Sequence, residues 1–298
     1  METMNFSFLD KNHKLFEKLA KNPPIWWDVL KNDKEIIIEI RKDNSIDVYY
    51  KGGAIITSLK FSKNLFHGKI HYEYIPLKCE LKNPYILYKI TDDKISFDQK
   101  NCKILELNNF SREDLKFLKK RIALFNTPDS EKSIQYSFVE NDPYFIDSEF
   151  EYPFENSTIR IDLIRIDTQS KKIVFVEVKR IGDARLFNAE ISIQLKQYSN
   201  FIKKYSEELL GYYKELFEIK KKLNLLSDEL KKISNLDNYE ILSKPLLLLG
   251  DCQQSWIDNN SKNIDNKISE TAIGAYYLGG TSYKSNLISK TFKNKHIF

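Results

Sequence analysis

Cysteine, histidine, glycine and proline are all scarce in this chain of 298 residues, with 3, 4, 9 and 8 copies respectively. Cys79, Cys102 and Cys252 are widely separated and form no CxxC pair, which excludes a zinc ribbon or an iron–sulfur cluster built on such pairs. The histidines also lack the spacing of metal ligands, and so few glycines disfavour a glycine-rich phosphate-binding loop. An odd number of isolated cysteines is typical of a reducing compartment, so we expect a cytoplasmic protein.

Hydrophobic runs are short as well. The first residues, METMNFSFLDKNHK, lack the basic start and apolar core of a signal peptide, and no stretch approaches the length of a membrane span. We therefore expect a soluble protein with no membrane partner. The 47 basic and 42 acidic residues leave a net charge of +5, which permits a nucleic-acid partner without requiring one.

The chain is long enough for two domains. In residues 1–109 a short helix around Phe16–Leu19 precedes the strand-like runs EIIIEI, SIDVYY, AIITSL and KIHYEYI, and the turn signals KDNS, KGG and LFHG separate these runs. This pattern predicts a β-meander domain with a helix packed against it. Its prominent aromatic residues either recognise a substrate or partner or form the core of the domain: Trp26, Trp27, Tyr49 and Tyr50.

A second domain follows and begins with two predicted helices. In NNFSREDLKFLKKRIALF, Ser111 and Asp114 form a variant of the capping box at the start of the first helix. The second helix is predicted to begin within TPDSEKSIQYSF. Its spacing places Ile134 and Phe138 toward the core and Glu131 in the first turn.

Two β-strands are predicted next, in IRIDLIRI and in KKIVFVEVKR, with the polar turn DTQS between them. If Ile166 and Ile173 face each other at the closed end of this hairpin, Asp162 lies directly opposite Glu177, with about 5 Å between their Cβ atoms. Because alternate residues of a strand share a face, Lys179 lies one step further along on the same face as Glu177. The hairpin thus brings two carboxylates and one ammonium group together within an otherwise apolar strand.

Carboxylates that face each other repel, and burying them without compensation costs free energy. Lys179 can neutralise one charge at most, whereas a divalent cation between Asp162 and Glu177 would offset both. Oxygen ligands favour Mg²⁺ or Mn²⁺, and the backbone carbonyl of Val178 could supply a further ligand. Such an ion would polarise a phosphoryl oxygen and acidify a water molecule, while Lys179 would orient or deprotonate that water and stabilise the developing negative charge. The cluster therefore favours phosphodiester hydrolysis.

IDLIRI followed by VFVEVK resembles the core motif of the PD-(D/E)XK nuclease superfamily, in which an acidic residue and a hairpin precede (D/E)-x-K. Asp162, Glu177 and Lys179 match that motif residue by residue, and Ile161 stands where the motif name has proline. The resemblance implies a restriction-endonuclease-like α/β core over 110–298, with a mixed central sheet flanked by helices. It also implies a Mg²⁺- or Mn²⁺-dependent endonuclease that acts on DNA, with RNA as a further candidate substrate, in restriction or anti-phage defence or in DNA repair.

Two flanking features extend the resemblance. QLKQY matches the Q-x-x-x-Y motif of the RecB-like branch, which implies that Gln194 and Tyr198 lie on one helix face and reach DNA and the attacking water. An acidic residue on the preceding helix is implied to assist the metal site; Glu131 is the first candidate, and Glu149 and Glu151 compete with it. Isolated basic residues either contact phosphate or are simply solvated: Lys171, Lys172, Arg180, Arg185 and Lys196.

A long amphipathic pattern follows the hairpin. Apolar residues recur in alternating steps of three and four at positions 191, 195, 198, 202, 205, 209, 212, 216, 219, 223, 226, 230 and 233. This seam predicts a helical or coiled-coil insertion over 191–235, which either folds back on itself near NLLSDEL or forms a homodimer through the 191–233 seam. Two buried strands are predicted after it, in KPLLLLGD and AIGAYYLGG.

Structural explanations compete with the nuclease hypothesis. Asp162 and Lys179 would form an ordinary salt bridge at the end of a strand if Glu177 pointed to solvent, and Tyr198 would then be a core residue of the seam. Glu131 would interact only with the helix dipole. A different functional class is a catalytically inactive nuclease-fold module that binds nucleic acid or scaffolds a complex through its coiled coil.

Overall fold

A computed structural model of the chain describes residues 9–71, 74, 85–91, 94–97, 107–108, 112–125, 131–155 and 157–278. Within these residues the protein has a mixed α/β fold with two β-sheets and seven α-helices. The chain divides into two compact units. The amino-terminal unit consists of Ser7–Thr127 with Glu218–Leu225, and the carboxy-terminal unit consists mainly of Pro128–Phe217 and Leu226–Phe298. The sequence prediction instead separated the domains after residue 109.

The amino-terminal unit is a β-meander accompanied by helices. Its elements are α1 (Lys14–Lys21), α2 (Ile25–Lys31), β1 (Ile37–Ile40), β2 (Ile46–Tyr50), β3 (Gly53–Ser62), β4 (Leu65–His71), β5 (Tyr85–Thr91), β6 (Lys94–Phe97), β7 (Leu107–Asn108) and α3 (Arg112–Phe125). Each strand pairs antiparallel with the next one along the chain, which confirms the predicted meander. The predicted turn LFHG is wrong because these residues lie inside β4; the turn precedes them, at Lys63 and Asn64, which both have positive φ.

Three of the four prominent aromatic residues of this unit belong to its core. Trp26 and Trp27 on α2 are buried, with their ring centroids 6.2 Å apart in an edge-to-face arrangement. Tyr50 is buried as well, and Tyr49 is half-buried. Core packing therefore accounts for the rings of Trp26, Trp27 and Tyr50, and hydrogen bonds with Arg41 and Asp47 account for the Tyr49 hydroxyl. Ser111, the predicted cap of α3, lies outside the described residues.

The carboxy-terminal unit is a mixed sheet between helices. Its elements are α4 (Glu131–Asn141), β8 (Phe145–Phe154), β9 (Ser157–Asp167), β10 (Lys172–Arg180), a 3-10 turn (Ala184–Phe187), α5 (Glu190–Lys204), α6 (Ser206–Lys222, whose end belongs to the amino-terminal unit), β11 (Glu240–Ile241), β12 (Leu246–Gly250), α7 (Gln254–Ile268) and β13 (Ala275–Tyr277). The sheet order is β13-β12-β10-β9-β8, with β11 beside the start of β10. β9 pairs antiparallel with both β8 and β10, whereas β12 and β13 run parallel to β10.

The β9–β10 hairpin has the predicted register. Ile166 pairs with Ile173, and Leu163 pairs with Val176. Both strands are rich in β-branched residues, and the polar turn between them ends at Lys171, which has a φ of 56°. β10 lies between β9 and β12, so both of its edges are paired within the sheet. A strand in this central position is buried on both faces, as its apolar sequence requires.

Helices cover both faces of this sheet. One face packs against α4 through an apolar cluster that includes Ile134, Phe138, Val174, Val176, Val178 and Leu246. The other face packs against α5 and α7 through a cluster that includes Ile191, Leu195, Leu247, Leu249, Ile264 and Ile268. Glu177 pairs with Leu247, and Lys179 pairs with Leu249. Because paired neighbours point to the same face of a sheet, both charged side chains lie on the face that α5 covers.

The predicted helical insertion is shorter than expected and is interrupted. α5 ends before Tyr205, whose φ of −121° and ψ of 26° are not helical, and α6 ends at Lys222. Between Lys222 and residue 235 only a 3-10 turn at Leu230–Lys232 is helical, so the extent predicted for the helical insertion, 191–235, is wrong at its carboxy-terminal end. The seam positions from 191 to 230 are nevertheless buried within the single chain, which agrees with intramolecular packing. A homodimer through the seam stays a prediction. None of the helices in the described part of the chain has the length and apolar character needed to cross a membrane.

Candidate active site

The two predicted carboxylates meet across the β9–β10 hairpin. The backbone N–H of Val178 donates a hydrogen bond of 2.7 Å to Asp162 Oδ2 on the neighbouring strand. Glu177 precedes Val178 and is only 1 % exposed. The alternative in which Glu177 points to solvent beside a simple salt bridge is therefore wrong. The central strand instead holds an acidic side chain inside the fold, close to a second one.

Lys179 supplies the nearest positive charge. Its ammonium group donates hydrogen bonds to Glu177 Oε1 and to the carbonyl oxygen of Val178, the latter at 3.0 Å. Its Nζ atom also lies 3.6 Å from Glu131 Oε1, at the start of α4. Lys179 is itself 1 % exposed, so water screens these charges only weakly. The ammonium group therefore contacts or approaches three of the oxygen sources that the sequence assigned to a metal ion.

Gln194 and Tyr198 lie one turn apart on α5 and extend the cluster. Gln194 Nε2 donates hydrogen bonds to Glu177 Oε1 and to the hydroxyl oxygen of Tyr198, each at 2.7 Å. The Tyr198 hydroxyl in turn donates to the carbonyl oxygen of Arg160 on β9. Tyr198 is only 4 % exposed. Within this cluster it fixes the orientation of Gln194 and has little surface left for contact with a nucleic acid.

Replacing Tyr198 by phenylalanine is expected to lower the free energy of unfolding by about 1 to 2 kcal/mol, because the ring stays but the Arg160 carbonyl and Gln194 lose a hydrogen-bond partner. Urea denaturation followed by circular dichroism measures this change. Tyr144→Phe is a matched control, since the Tyr144 hydroxyl makes no hydrogen bond to the described residues; its effect is expected to stay within about 0.5 kcal/mol. Equal effects of the two substitutions would contradict the role assigned to Tyr198.

Burial and mutual repulsion shift the titration of the carboxyl pair. The pKa of Asp162 is raised well above its ordinary value. Burial is the largest cause, and the adjacent charge of Glu177 is the second. Burial also raises the pKa of Glu177, against the opposing effect of Lys179. Burial acts to lower the pKa of Lys179, but Glu177, Asp162 and Glu131 overcome it, and the pKa of Lys179 is raised. Lys179 therefore stays protonated at neutral pH, while the carboxyl pair retains protons to a higher pH than isolated carboxyls do.

Two acceptor atoms in the cluster, Glu177 Oε2 and Gln194 Oε1, are buried and have no hydrogen-bond partner among the described residues. Unpaired buried acceptors are costly, so they favour a further donor or a cation at this place. Carboxylate and carbonyl oxygens are also the ligands that Mg²⁺ and Mn²⁺ prefer. Among the residues that the structure describes, no three His, Cys, Asp or Glu side chains converge as a metal site. The oxygens fit a divalent ion chemically, and in the structure Lys179 occupies those of Glu177 and Val178.

The acidic residues that compete with Glu131 lie elsewhere. Glu149 forms an ion pair with Lys132 at 3.4 Å, and Glu151 forms one with Arg160 at 3.0 Å. Glu131 is thus the third carboxylate beside Lys179, as the position of the preceding helix implied. Of the five basic candidates, Arg180 is half-buried at the end of β10 and Lys196 is exposed on α5.

Arg185 stands closer to the cluster than its isolated position in the sequence indicated. Its Nη2 atom lies 4.0 Å from Glu131 Oε2. Asp183 anchors its guanidinium, which donates from Nε to both carboxylate oxygens at 2.9 and 3.1 Å. The hydrogen bonds from Arg185 are the main cause of the lowered pKa of Asp183. Asp183 also caps the 3-10 turn, and this Asp-x-Arg pattern directly after a buried strand is the signal that could have revealed the pair.

The residues that form this cluster carry its functional interpretation by themselves. Comparison of the chain with models of protein families, with curated proteins and with solved structures finds no match.

Proposed function

We propose that this protein is a metal-dependent nuclease that hydrolyses DNA phosphodiester bonds on a restriction-endonuclease-like core. The observation that supports the proposal most is the buried, hydrogen-bonded cluster in which Glu177 contacts both Lys179 and Gln194 beside Asp162. The residues of this cluster are those of the PD-(D/E)XK and Q-x-x-x-Y motifs, in the same order. The mixed sheet between helices agrees with such a core. Restriction or anti-phage defence is the first proposed role, and DNA repair is the second.

Asp162, Glu177 and the carbonyl oxygen of Val178 would hold a Mg²⁺ or Mn²⁺ ion, with Glu131 beside them. The buried and unpaired Glu177 Oε2 supports this assignment, because it has lone pairs available to a cation. When bound, the ion supplies charge compensation for the phosphate and makes an attacking water more acidic. Since the carboxyl pair retains protons to a raised pH, the ion would bind best when both carboxyls are deprotonated.

Lys179 provides the positive charge that the protein itself contributes to the site, in addition to that of the ion. Because the neighbouring carboxylates raise its pKa, it remains an ammonium group and acts as a hydrogen-bond donor to a phosphate oxygen, where it stabilises developing negative charge. A role as general base does not suit this protonation state. Gln194 Oε1, which has no hydrogen-bond partner among the described residues, accepts a hydrogen bond from a water molecule. The hydrogen bond between Gln194 and Tyr198 fixes the orientation of this amide.

Incubation of the full-length protein with supercoiled plasmid tests the proposed function. Nicked or linear DNA is expected to accumulate with Mg²⁺ or Mn²⁺ and to be absent with EDTA. A labelled RNA of matched sequence, assayed in parallel, establishes whether RNA is also a substrate. Cleavage of neither nucleic acid at any divalent-ion concentration would overturn the proposal.

Divalent ions are expected to stabilise the wild-type protein even without substrate. At a Mg²⁺ concentration ten times Kd, binding to the folded state adds about 1.4 kcal/mol, which raises Tm by about 2 °C or more in a chain of this size. Glu177→Gln is expected to lose this increase, because the amide has no negative charge for the ion. Glu240→Gln removes an exposed carboxylate that pairs with Lys172 on the same sheet, and this control should keep the increase. Differential scanning calorimetry with Mg²⁺ and with EDTA measures the shift.

A catalytically inactive module that binds nucleic acid is the second candidate function. The observation that favours it is the position of Lys179, whose ammonium group occupies the Glu177 and Val178 oxygens that an ion would need. Such a protein is expected to bind DNA equally well with Mg²⁺ and with EDTA and never to cut it. The plasmid assay, combined with a gel-shift measurement, separates the two candidates.

A further inference from the structure

Two large apolar side chains are exposed beside the candidate active site. In the described part of the carboxy-terminal unit, Phe187 is 49 % exposed and Ile193 is 56 % exposed, and the other exposed large apolar residues belong to the amino-terminal unit. Phe187 ends the 3-10 turn that carries Arg185, and Ile193 directly precedes Gln194 on α5. Two exposed apolar side chains on segments that also carry Arg185 and Gln194 are the starting point for a candidate binding surface.

The Phe187 ring packs near other aromatic side chains. Its centroid lies 6.3 Å from that of Trp256 on α7, at an interplanar angle of 75°, and Trp256 lies 6.4 Å from Tyr277 on β13. Hydrogen bonds fix the two segments that carry the apolar pair to the same helix. Lys267 Nζ on α7 donates to the carbonyl oxygen of Leu186 at 3.1 Å, and Ser192 Oγ on α5 donates to the carbonyl oxygen of Lys267 at 2.8 Å. The segments that carry Phe187 and Ile193 are therefore both fixed to Lys267 of α7.

Two cationic side chains lie on the segments that carry Phe187 and Ile193. Arg185, which also pairs with Asp183 and lies near Glu131, is 39 % exposed two residues before Phe187. Lys196 is exposed one turn after Ile193, and its side chain forms no ion pair with the described residues. Apolar and aromatic faces bind unpaired bases by stacking, whereas a duplex keeps its base faces inside the helix and offers only their edges. Apolar faces between cationic side chains thus fit a single strand better than a duplex.

We infer that Phe187 and Ile193 form a base-stacking subsite that binds an unpaired nucleotide next to the candidate active site, and that the preferred substrate class is single-stranded DNA. The subsite rests on its own residues, and its link to cleavage rests on the proposed function. A base that stacks on Phe187 places its flanking phosphates within reach of Arg185 and Lys196. An apolar surface on a protein partner is the competing occupant.

Equilibrium binding in EDTA tests the subsite without cleavage. The full-length protein is titrated into a fluorescently labelled oligothymidylate and into a labelled duplex of equal length, and anisotropy gives each Kd. The single strand is expected to bind more tightly, and Phe187→Ala is expected to weaken its binding about 10-fold. Phe187→Trp should restore the affinity because it restores a stacking face. Leu124→Ala, which removes an exposed apolar side chain of the amino-terminal unit, should leave the affinity unchanged.

Each outcome decides between the subsite and its alternatives. Preference for the duplex, or equal affinities of the wild-type and Phe187→Ala proteins for the single strand, overturns the inference, as does loss of affinity that Phe187→Trp does not restore. Plasmid cleavage together with such a result leaves the proposed function standing and removes only the subsite. Binding of the single strand that depends on Phe187, without cleavage at any Mg²⁺ concentration, supports the subsite and overturns the nuclease.

Discussion

Replacing Lys179 by alanine is expected to lower the rate of plasmid cleavage by about 10³-fold at saturating Mg²⁺, because preorganised charges at a reacting phosphate contribute on this scale. The ammonium group of Lys179 is the only cation among the described residues that hydrogen-bonds to Glu177. Gln194 and Tyr198 are neutral, and the guanidinium of Arg185 donates to Asp183 instead of Glu177. Single-turnover cleavage of a labelled plasmid measures the rate.

A loss of rate must be separated from a loss of structure, because Lys179 is buried. Its removal leaves Glu177 without a counter-charge, and a proton taken up by the carboxyl pair will compensate for part of this cost. Lys172→Ala is the matched control, since Lys172 lies on the same strand and forms an exposed ion pair with Glu240. Near wild-type cleavage is expected for this control. A Lys179→Ala protein that is folded by circular dichroism and cleaves within ten-fold of the wild-type rate would contradict the assigned role.

The sequence predicted the parts of the site that depend on local periodicity. A strand repeats every two residues, so the placement of Glu177 and Lys179 on one face follows from their spacing, and the polar turn sets the register that brings Asp162 to the hairpin partner strand. The spacing of Gln194 and Tyr198 by four residues similarly predicts their shared helix face and the hydrogen bond between them.

Features that depend on tertiary packing could not be predicted in the same way. Sequence spacing does not tell which of several acidic residues reaches Lys179, because the choice of Glu131 depends on how α4 packs against the sheet. The contact of the Lys179 ammonium group with the Val178 carbonyl depends on a side-chain conformation that the buried surroundings select. The interruption of the helix at Tyr205 could not be predicted either, because apolar residues recur in steps of three and four both in one long helix and in two consecutive helices.

Asp162→Asn is expected to abolish cleavage and, in EDTA, to make the protein more stable. Cleavage should fall by about 10³-fold, because the amide carries no negative charge to hold a divalent ion. Stability should rise because the substitution removes one of two repelling carboxyls and retains an oxygen that accepts the hydrogen bond from Val178. Opposite changes of activity and stability are typical of a residue whose position serves a reaction at the expense of folding.

The pH dependence of this stability difference provides the sharper test. The pKa of Asp162 in the folded protein is raised well above its ordinary value of 3.8, so between these two values the folded state binds more protons than the unfolded state. Wild-type stability therefore falls as pH rises through this interval, by up to about 1.4 kcal/mol per pH unit, and levels off above the folded-state pKa. The asparagine protein lacks this loss, so its advantage should grow with pH.

Urea denaturation in EDTA, at a series of pH values between about 4 and 9, measures the difference in the free energy of unfolding between the two proteins. Asp228→Asn is the control, because the Asp228 side chain is 89 % exposed and its ion pair with Lys231 contributes little. Its stability relative to the wild type should stay nearly constant. An Asp162→Asn protein that is less stable than the wild type at every pH would show that the carboxyl pair is compensated in the metal-free fold, and the reason to expect a divalent ion between the strands would be lost with it.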